Sequence, residues 1–249
     1  RGRIQEAQSD CERALKRLRG QSQPPREAAA LAKLGNIAQL FGESETALQR
    51  HHEALTIRQE ALGPKSVDVA DSHYHIARLH NAAGRPDVAR EHLDQATSIA
   101  LDVYGPDHPR MVAFHLMWTH LALDEADLKR AETSLSEAQR VVGIADETSI
   151  DAGLVLDALG QLRRKQLDDA AAVSAFEASV AMLSDQHARG DMLGAVRHNL
   201  AQAYWAVGRR GEARDTLSAA RVELRDGGKA AEADLRELEE TQRGWGRGE

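Results

Sequence analysis

The chain has 249 residues, of which 29% are charged and 4% aromatic, and its net charge is −7. This acidic balance argues against nucleic acid as a partner, because phosphate binding needs a concentrated basic face. No apolar run approaches the ~18 residues of a membrane span and no segment resembles a signal peptide, so we expect no membrane partner. The single cysteine, Cys11, excludes an internal disulfide framework and fits a reducing compartment, which indicates a cytoplasmic location.

The start of the chain predicts one helix of an incomplete pair. Ala7, Cys11 and Ala14 have the spacing that later segments show in the second helix of a helical hairpin. No first helix precedes them, and the chain opens with Arg1 rather than methionine. We therefore expect residues 1–20 to be half a repeat, cut from a longer protein. Its uncovered apolar face favours self-association.

The rest of the chain repeats itself every 41 or 42 residues, as Gly63–Pro64 and Gly105–Pro106 first indicate. Two small positions, seven residues apart, recur in five segments. The first small position is occupied by Ala47, Ala89, Ala131, Ala172 and Ala213. The second is occupied by Ala54, Ala96, Ala138, Ser179 and Ala220. The residue four places into each interval is His51, Leu93, Leu135, Phe176 or Leu217. This i, i+4, i+7 pattern predicts a helix that packs inward.

A second helical segment precedes each of these helices and carries a bulky residue beside a small one. The pairs are Leu34–Gly35, Ile76–Ala77, Trp118–Thr119, Leu159–Gly160 and Leu200–Ala201. Gly42, Gly84 and Gly208 separate the two helices, as expected for turns that need a positive φ. Ala126 and Leu167 replace glycine in the third and fourth repeats, where the pattern is weakest. We also predict that the connectors at residues 62–67 and 104–109 are equivalent turns.

The stretches "LGNIAQLFGESETALQRHHEAL" and "NLAQAYWAVGRRGEARDTLSAA" resemble tetratricopeptide repeats. The long period and the "GPDHP" connector are similar to the kinesin light chain variety, which bacterial regulatory proteins also carry. The resemblance implies an all-α fold, a right-handed superhelical solenoid of helical hairpins, as one domain over residues 1–249. After the half repeat it comprises residues 27–62, 67–104, 109–143, 148–186 and 189–226, and a capping helix at 229–242.

The resemblance also implies that the first helices of the hairpins line a concave groove that binds a peptide or a helix of a partner protein. The groove positions carried over are Lys33, Asn36, Tyr74, His75, Arg78, Asn81, Met117, His120, Asp157, Gln161, Arg164, His198, Asn199, Gln202 and Trp205. Asn199 is the sharpest of these. "HNLAQAY" at residues 198–204 matches the family's stretch in which an asparagine holds the main chain of the bound peptide, and an amide both donates and accepts.

No motif indicates catalysis: the sequence has no GxSxG elbow, no phosphate-binding glycine loop and no CxxC pair. We predict no enzyme activity and no cofactor. His73, His75 and His80 are not at the i, i+4 spacing of a helical zinc site, so we predict no metal site either.

Two alternatives remain open. In the first, the chain is the regulatory tail of a larger protein, such as a bacterial Ser/Thr kinase or a nucleotide-dependent signalling protein, and the groove is filled intramolecularly. In the second, it is a metal or small-molecule sensor. A catalytic domain upstream would favour the regulatory tail.

Overall fold

The computed structural model describes residues 2–19, 23–145, 148–226 and 232–246. Over these ranges the chain forms twelve α-helices and no β-strand. The helices are α1 (Gly2–Leu18), α2 (Pro24–Leu40), α3 (Ser44–Leu62), α4 (Val67–Ala82), α5 (Pro86–Tyr104), α6 (Met111–Asp124), α7 (Leu128–Ala145), α8 (Ile150–Lys165), α9 (Asp169–Asp185), α10 (Gly190–Ala206), α11 (Arg210–Asp226) and α12 (Glu232–Gly246). The all-α class predicted from the repeats is confirmed. In this helical part of the chain, no helix is both long and apolar enough to cross a membrane.

The chain divides into two compact units, Arg1–Met117 and Trp118–Glu249. In the first unit, α2 packs on α3 and α4 on α5 as two helical hairpins, and α3 also contacts α4. In the second unit, α8 packs on α9 and α10 on α11, while α9 contacts α10 and α11 contacts α12. Each of these four hairpins joins the first and the second helix of one predicted repeat.

Both small positions of every repeat lie in the helix contacts. All ten residues, including Ser179, are buried. The Ser179 hydroxyl donates to the carbonyl of Gly153 at 2.7 Å, so this polar member of the series is satisfied. The residues between the small positions are buried as well. The aligned positions of the five repeats are therefore alike in burial.

The first helix of a hairpin carries glycine where the facing residue of the second helix is a ring. A Cβ placed on Gly160 would lie 2.5 Å from Cε1 of Phe176, and one on Gly35 would lie 2.7 Å from Nε2 of His51. At the equivalent positions in sequence, the other repeats combine Ala77 with Leu93, Thr119 with Leu135, and Ala201 with Leu217. The residue on the first helix is thus smaller where the residue at the facing position of the second helix is larger.

The turns within the five hairpins share one conformation. Their central residues have positive φ: Gly42 (72°), Gly84 (68°), Ala126 (58°), Leu167 (63°) and Gly208 (82°). At the Leu167 turn, the N–H of Leu167 donates to the carbonyl of Arg164 at 3.0 Å and that of Asp168 to Arg163 at 2.9 Å. The same two bonds close the turn at Gly208. Backbone hydrogen bonds therefore hold alanine and leucine in a region that favours glycine.

The connectors between hairpins agree with the prediction at their glycines and differ afterwards. Gly63 has φ 82° and ψ 158°, and Gly105 has φ 78° and ψ 169°. Ser66 then caps α4, accepting from the N–H of Val69 at 3.3 Å. His108 occupies the corresponding place in the second connector, and α6 begins at Met111, two residues later than the alignment predicts.

The apolar face of α1 is only half covered. Leu15 is buried in a cluster with Leu31, against which Cys11 also packs. Ala7 and Ala14 are exposed, on the part of the stripe that a preceding helix would cover. At the other end, Leu238 of α12 is buried against α11. Residues 229–231 of the predicted capping helix lie outside the described residues.

Candidate partner-binding surface

All the residues predicted to line a groove lie on the first helix of their hairpin: α2 and α4 in the first unit, α8 and α10 in the second, and α6, whose residues fall in both. We call the surface that they form within each unit the first-helix surface. Most of them are half-buried. Lys33 is exposed, whereas Met117, Asp157 and His198 are buried.

In the second unit, Asp157 joins α8 to α10. Its Oδ1 accepts from Nδ2 of Asn199 at 3.0 Å, and its Oδ2 accepts from Nε2 of Gln161 at 2.7 Å. Burial raises the pKa of the Asp157 carboxyl, while the Asn199 hydrogen bond, the nearby His120 and the Gln161 hydrogen bond lower it. Three of the predicted residues therefore meet in one hydrogen-bond network, and a fourth, His120, interacts with it electrostatically.

A second polar chain lies further along the same two helices. Nη1 of Arg164 donates to Oε1 of Gln202 at 2.6 Å, and Nε2 of Gln202 lies 2.9 Å from Nε2 of His198. The His198 ring nitrogen is also 3.0 Å from the hydroxyl of Thr241 on α12. Burial lowers the pKa of His198. This buried histidine thus connects the first-helix surface to the last helix of the chain.

Trp205 is covered by its own chain. The Trp245 ring of α12 stacks on it, with ring centroids 4.2 Å apart and an interplanar angle of 1°. The guanidinium carbon of Arg210 lies 3.8 Å from the centroid of the Trp205 ring. The sequence analysis did not single out Trp245 or Thr241, because their separations from Trp205 and His198 do not match the period of the repeat.

In the first unit, Arg78 of α4 links to α2, because its Nη2 donates to Oε1 of Gln39 at 2.5 Å. Gln39 stands one repeat before Asn81, so the alignment could have identified it. The His75 ring stacks on that of His51, with centroids 4.7 Å apart. Oδ1 of Asn36 is buried and has no hydrogen-bond partner in the described part of the chain.

Burial has a strong effect on the stacked histidines. Burial and the charge of Arg78 lower the pKa of His51 to about 4. Burial and the neighbouring His51 lower the pKa of His75 to about 3. Both imidazoles are therefore neutral near pH 7. Neither nitrogen of His51 is hydrogen-bonded within the described residues.

Three more histidines cluster around His92 of α5, which the sequence reasoning did not single out. Nδ1 of His92 lies 2.8 Å from Nδ1 of His73, and the ring centroids of His52 and His80 are each 5.9 Å from that of His92. Burial, followed by these histidines, lowers the pKa of His92 to about 4. Among the described residues, no three or more His, Cys, Asp or Glu side chains are arranged to hold a metal ion.

Comparison with known proteins identifies the repeats. The family model described as tetratricopeptide repeat matches residues 26–102. A comparison with curated protein sequences gives no significant match.

Solved structures show the same fold. BtubC (BKLC) from P. vanneervenii is 21% identical over 88% of this chain and 90% of its own, with a TM-score of 0.68. A putative kinesin light chain of Podosopora anserina with nearly identical TPR-like repeats is 20% identical over 81% of this chain and 96% of its own, with a TM-score of 0.61. A Rap protein complexed with competence and sporulation factor is 14% identical over 96% of this chain and 71% of its own, with a TM-score of 0.67.

Proposed function

We propose that the chain binds an extended peptide or a helix of a partner protein on its first-helix surface. It is a tetratricopeptide-repeat protein, and repeats of this class form scaffolds for protein interaction. It has no catalytic activity of its own in this proposal. The partner is a protein rather than nucleic acid or a membrane, as the net charge of −7 favours, and the chain acts in the cytoplasm.

One observation carries the proposal: within each unit, polar side chains from neighbouring first helices meet on the first-helix surface. Asn199 reaches Asp157 in the second unit, and Arg78 reaches Gln39 in the first. Amide groups supply both donors and acceptors, which is the combination that a peptide main chain requires. A Rap protein of similar fold is complexed with competence and sporulation factor, which supports the binding of a partner by this fold.

The experiment starts from peptides selected on residues 1–249 from a phage-displayed library of random 12-residue peptides. Calorimetric titration then compares the wild-type chain with Asn199→Ala. We expect binding to weaken by roughly 1–3 kcal/mol, because a hydrogen-bond partner of the ligand is lost. Asp215→Asn, on the exposed side of α11, is the control and should bind like wild type.

Thermal melts of all three proteins separate binding from folding. A selected peptide that binds wild type and Asn199→Ala equally, with equal melting temperatures, would exclude this part of the surface as the binding site.

A second candidate function is favoured by α12. This helix reaches two predicted groove residues, through Thr241 on His198 and Trp245 on Trp205. Part of the first-helix surface of the second unit is therefore occupied from within the chain, as the regulatory-tail alternative requires. We propose that ligands bind the part around Asp157 and Asn199. Trp245→Ala tests this second candidate: tighter peptide binding would support competition by α12, and unchanged binding would contradict it.

A further inference from the structure

Asp157 occupies an unusual place for a carboxylate. Its side chain is buried, with 8% of the residue exposed, whereas Gln161 and Asn199 are half-buried. The carboxylate is therefore less exposed than the two amides that contact it. Each carboxylate oxygen accepts one hydrogen bond from an amide nitrogen, at 3.0 Å from Asn199 and 2.7 Å from Gln161.

This arrangement determines which end of each amide faces a ligand. Each oxygen of the Asp157 side chain accepts from an amide nitrogen, so both NH2 groups are turned toward Asp157. The carbonyl oxygens of Gln161 and Asn199 cannot face the same carboxylate, because two acceptors repel each other. They are left for groups that donate.

The amide nitrogens are also not free to change partner. One hydrogen of the Asn199 NH2 group is committed to Oδ1 of Asp157, because its release would leave a buried oxygen unsatisfied. A ligand that only accepts hydrogen bonds could use at most the second hydrogen, and it would leave the carbonyl oxygens of Gln161 and Asn199 without a donor. A ligand that only accepts hydrogen bonds is therefore disfavoured at this site.

We propose that Asp157 is the specificity-determining residue of the second unit's first-helix surface, because it makes Gln161 and Asn199 hydrogen-bond acceptors that select N–H donor groups on the partner. The donor is either a main-chain N–H of an extended segment or the side chain of a lysine or arginine. The inference rests on the proposed function and specifies the chemistry of the same site.

The test uses the tightest 12-residue peptide selected on wild-type residues 1–249, measured by fluorescence anisotropy. Asp157→Asn keeps the shape of the side chain but replaces one acceptor oxygen with an NH2 donor, so the amide of either Asn199 or Gln161 has to turn around. We expect the affinity to fall about tenfold, which corresponds to one lost hydrogen bond. Asp215→Asn makes the same chemical change at an exposed position of α11 and should leave the affinity unchanged.

A double variant, Asp157→Asn with Asn199→Asp, provides the rescue. The new amide at position 157 accepts from Gln161 and donates to the new carboxylate at position 199, which still presents an oxygen to the ligand. We expect affinity within about threefold of wild type, whereas Asn199→Ala alone loses about tenfold. Melting temperatures of wild type, Asp157→Asn, Asn199→Ala and the double variant identify any protein that is unfolded. The double variant keeps the test valid if Asp157→Asn is unstable.

Peptide analogues separate the two donor sources. N-methylation at successive positions removes main-chain N–H groups, while citrulline and norleucine replace arginine and lysine. The proposal is supported if one set of analogues binds the wild-type chain about tenfold more weakly than the parent peptide does, but shows no such loss of affinity on Asp157→Asn. The set that shows the loss identifies the donor.

Two failures are distinguishable. If Asn199→Ala weakens binding while Asp157→Asn changes neither the affinity nor the ranking of the analogues, the inference is overturned and the proposed function stands. If no selected peptide depends on Asn199, the proposed function fails and the inference fails with it.

Discussion

Gly160 and Phe176 offer a direct test of how the hairpins pack. An alanine Cβ at position 160 would lie 2.5, 2.6 and 2.7 Å from three atoms of the Phe176 ring, whereas carbon atoms in contact are normally about 3.5–4 Å apart. The ring would have to move by about 1 Å in a buried site. Overpacking of this kind costs about 1–3 kcal/mol, and the higher helix propensity of alanine offsets about 1 kcal/mol. We therefore expect Gly160→Ala to lower the free energy of unfolding by about 1 kcal/mol.

Phe176→Leu is the compensating change. Alone it leaves a cavity over Gly160 and costs about 1–2 kcal/mol. Combined with Gly160→Ala, it reproduces the alanine and leucine that the fifth repeat has at Ala201 and Leu217. The added methyl then fills space instead of clashing. The double variant should be more stable than the sum of the single effects by at least about 1 kcal/mol.

Urea unfolding followed by circular dichroism at 222 nm measures all three variants. Gly211→Ala is the matched control, because a Cβ there has no atom within 4 Å. It should leave stability unchanged or raise it by up to about 1 kcal/mol. The packing argument would be refuted if Gly160→Ala stabilised the chain as Gly211→Ala does, or if the two changes at 160 and 176 were additive.

Three further predictions concern single side chains. His51→Phe should raise the free energy of unfolding by about 1–3 kcal/mol at pH 7.5, because it removes two buried nitrogens without partners. It should also make the stability of the chain less sensitive to acid. The pKa of His51 is about 6.5 in the unfolded chain and about 4 in the folded one, so the stability that comes from its neutral form is present above pH 6.5 and is lost as the pH falls toward 4. Urea unfolding at pH 7.5 and pH 5 tests both effects, and an equal pH dependence in wild type and variant would contradict them. Leu167→Gly should raise the free energy of unfolding by about 1 kcal/mol, because Leu167 is 88% exposed and has a φ of 63°, which strains a residue other than glycine. Leu167→Ala keeps this strain and should not raise it, and thermal melts distinguish the two variants. Trp245→Ala removes the stack on Trp205 and should speed hydrogen exchange in α12 but not in α8; equal exchange in α12 would show that the stack does not hold this helix.

The fold was predictable because every repeat has the same pattern of small and bulky residues along its two helices. Small residues recur at Ala47 and Ala54 and at their equivalents, and two helices can approach closely only at such residues. The turns at Ala126 and Leu167 show the limit of residue-type reasoning. Their conformation is set by backbone hydrogen bonds and by the helices on either side, so a missing glycine costs stability without changing the path.

The site was predictable in place but not in detail. The alignment put Asn199 on a first helix, yet it could not show that the amide nitrogen is committed to Asp157, because this depends on the rotamers of both side chains. The covering of Trp205 depends on where α12 packs, and no residue of α10 carries that information. The cluster around His92 was missed because its members come from three helices, and their spacing in sequence resembles no motif.

Hydrogen exchange measured by mass spectrometry, with and without a saturating selected peptide, tests the central claim most directly. Binding on the first-helix surface predicts slower exchange in α8 and α10, around residues 157–164 and 198–202, and little change in α9 and α11. The first unit serves as an internal comparison, in which protection should again fall on α4 rather than α5. Protection confined to the second helices α5, α9 and α11, with α4, α8 and α10 unchanged, would contradict the account.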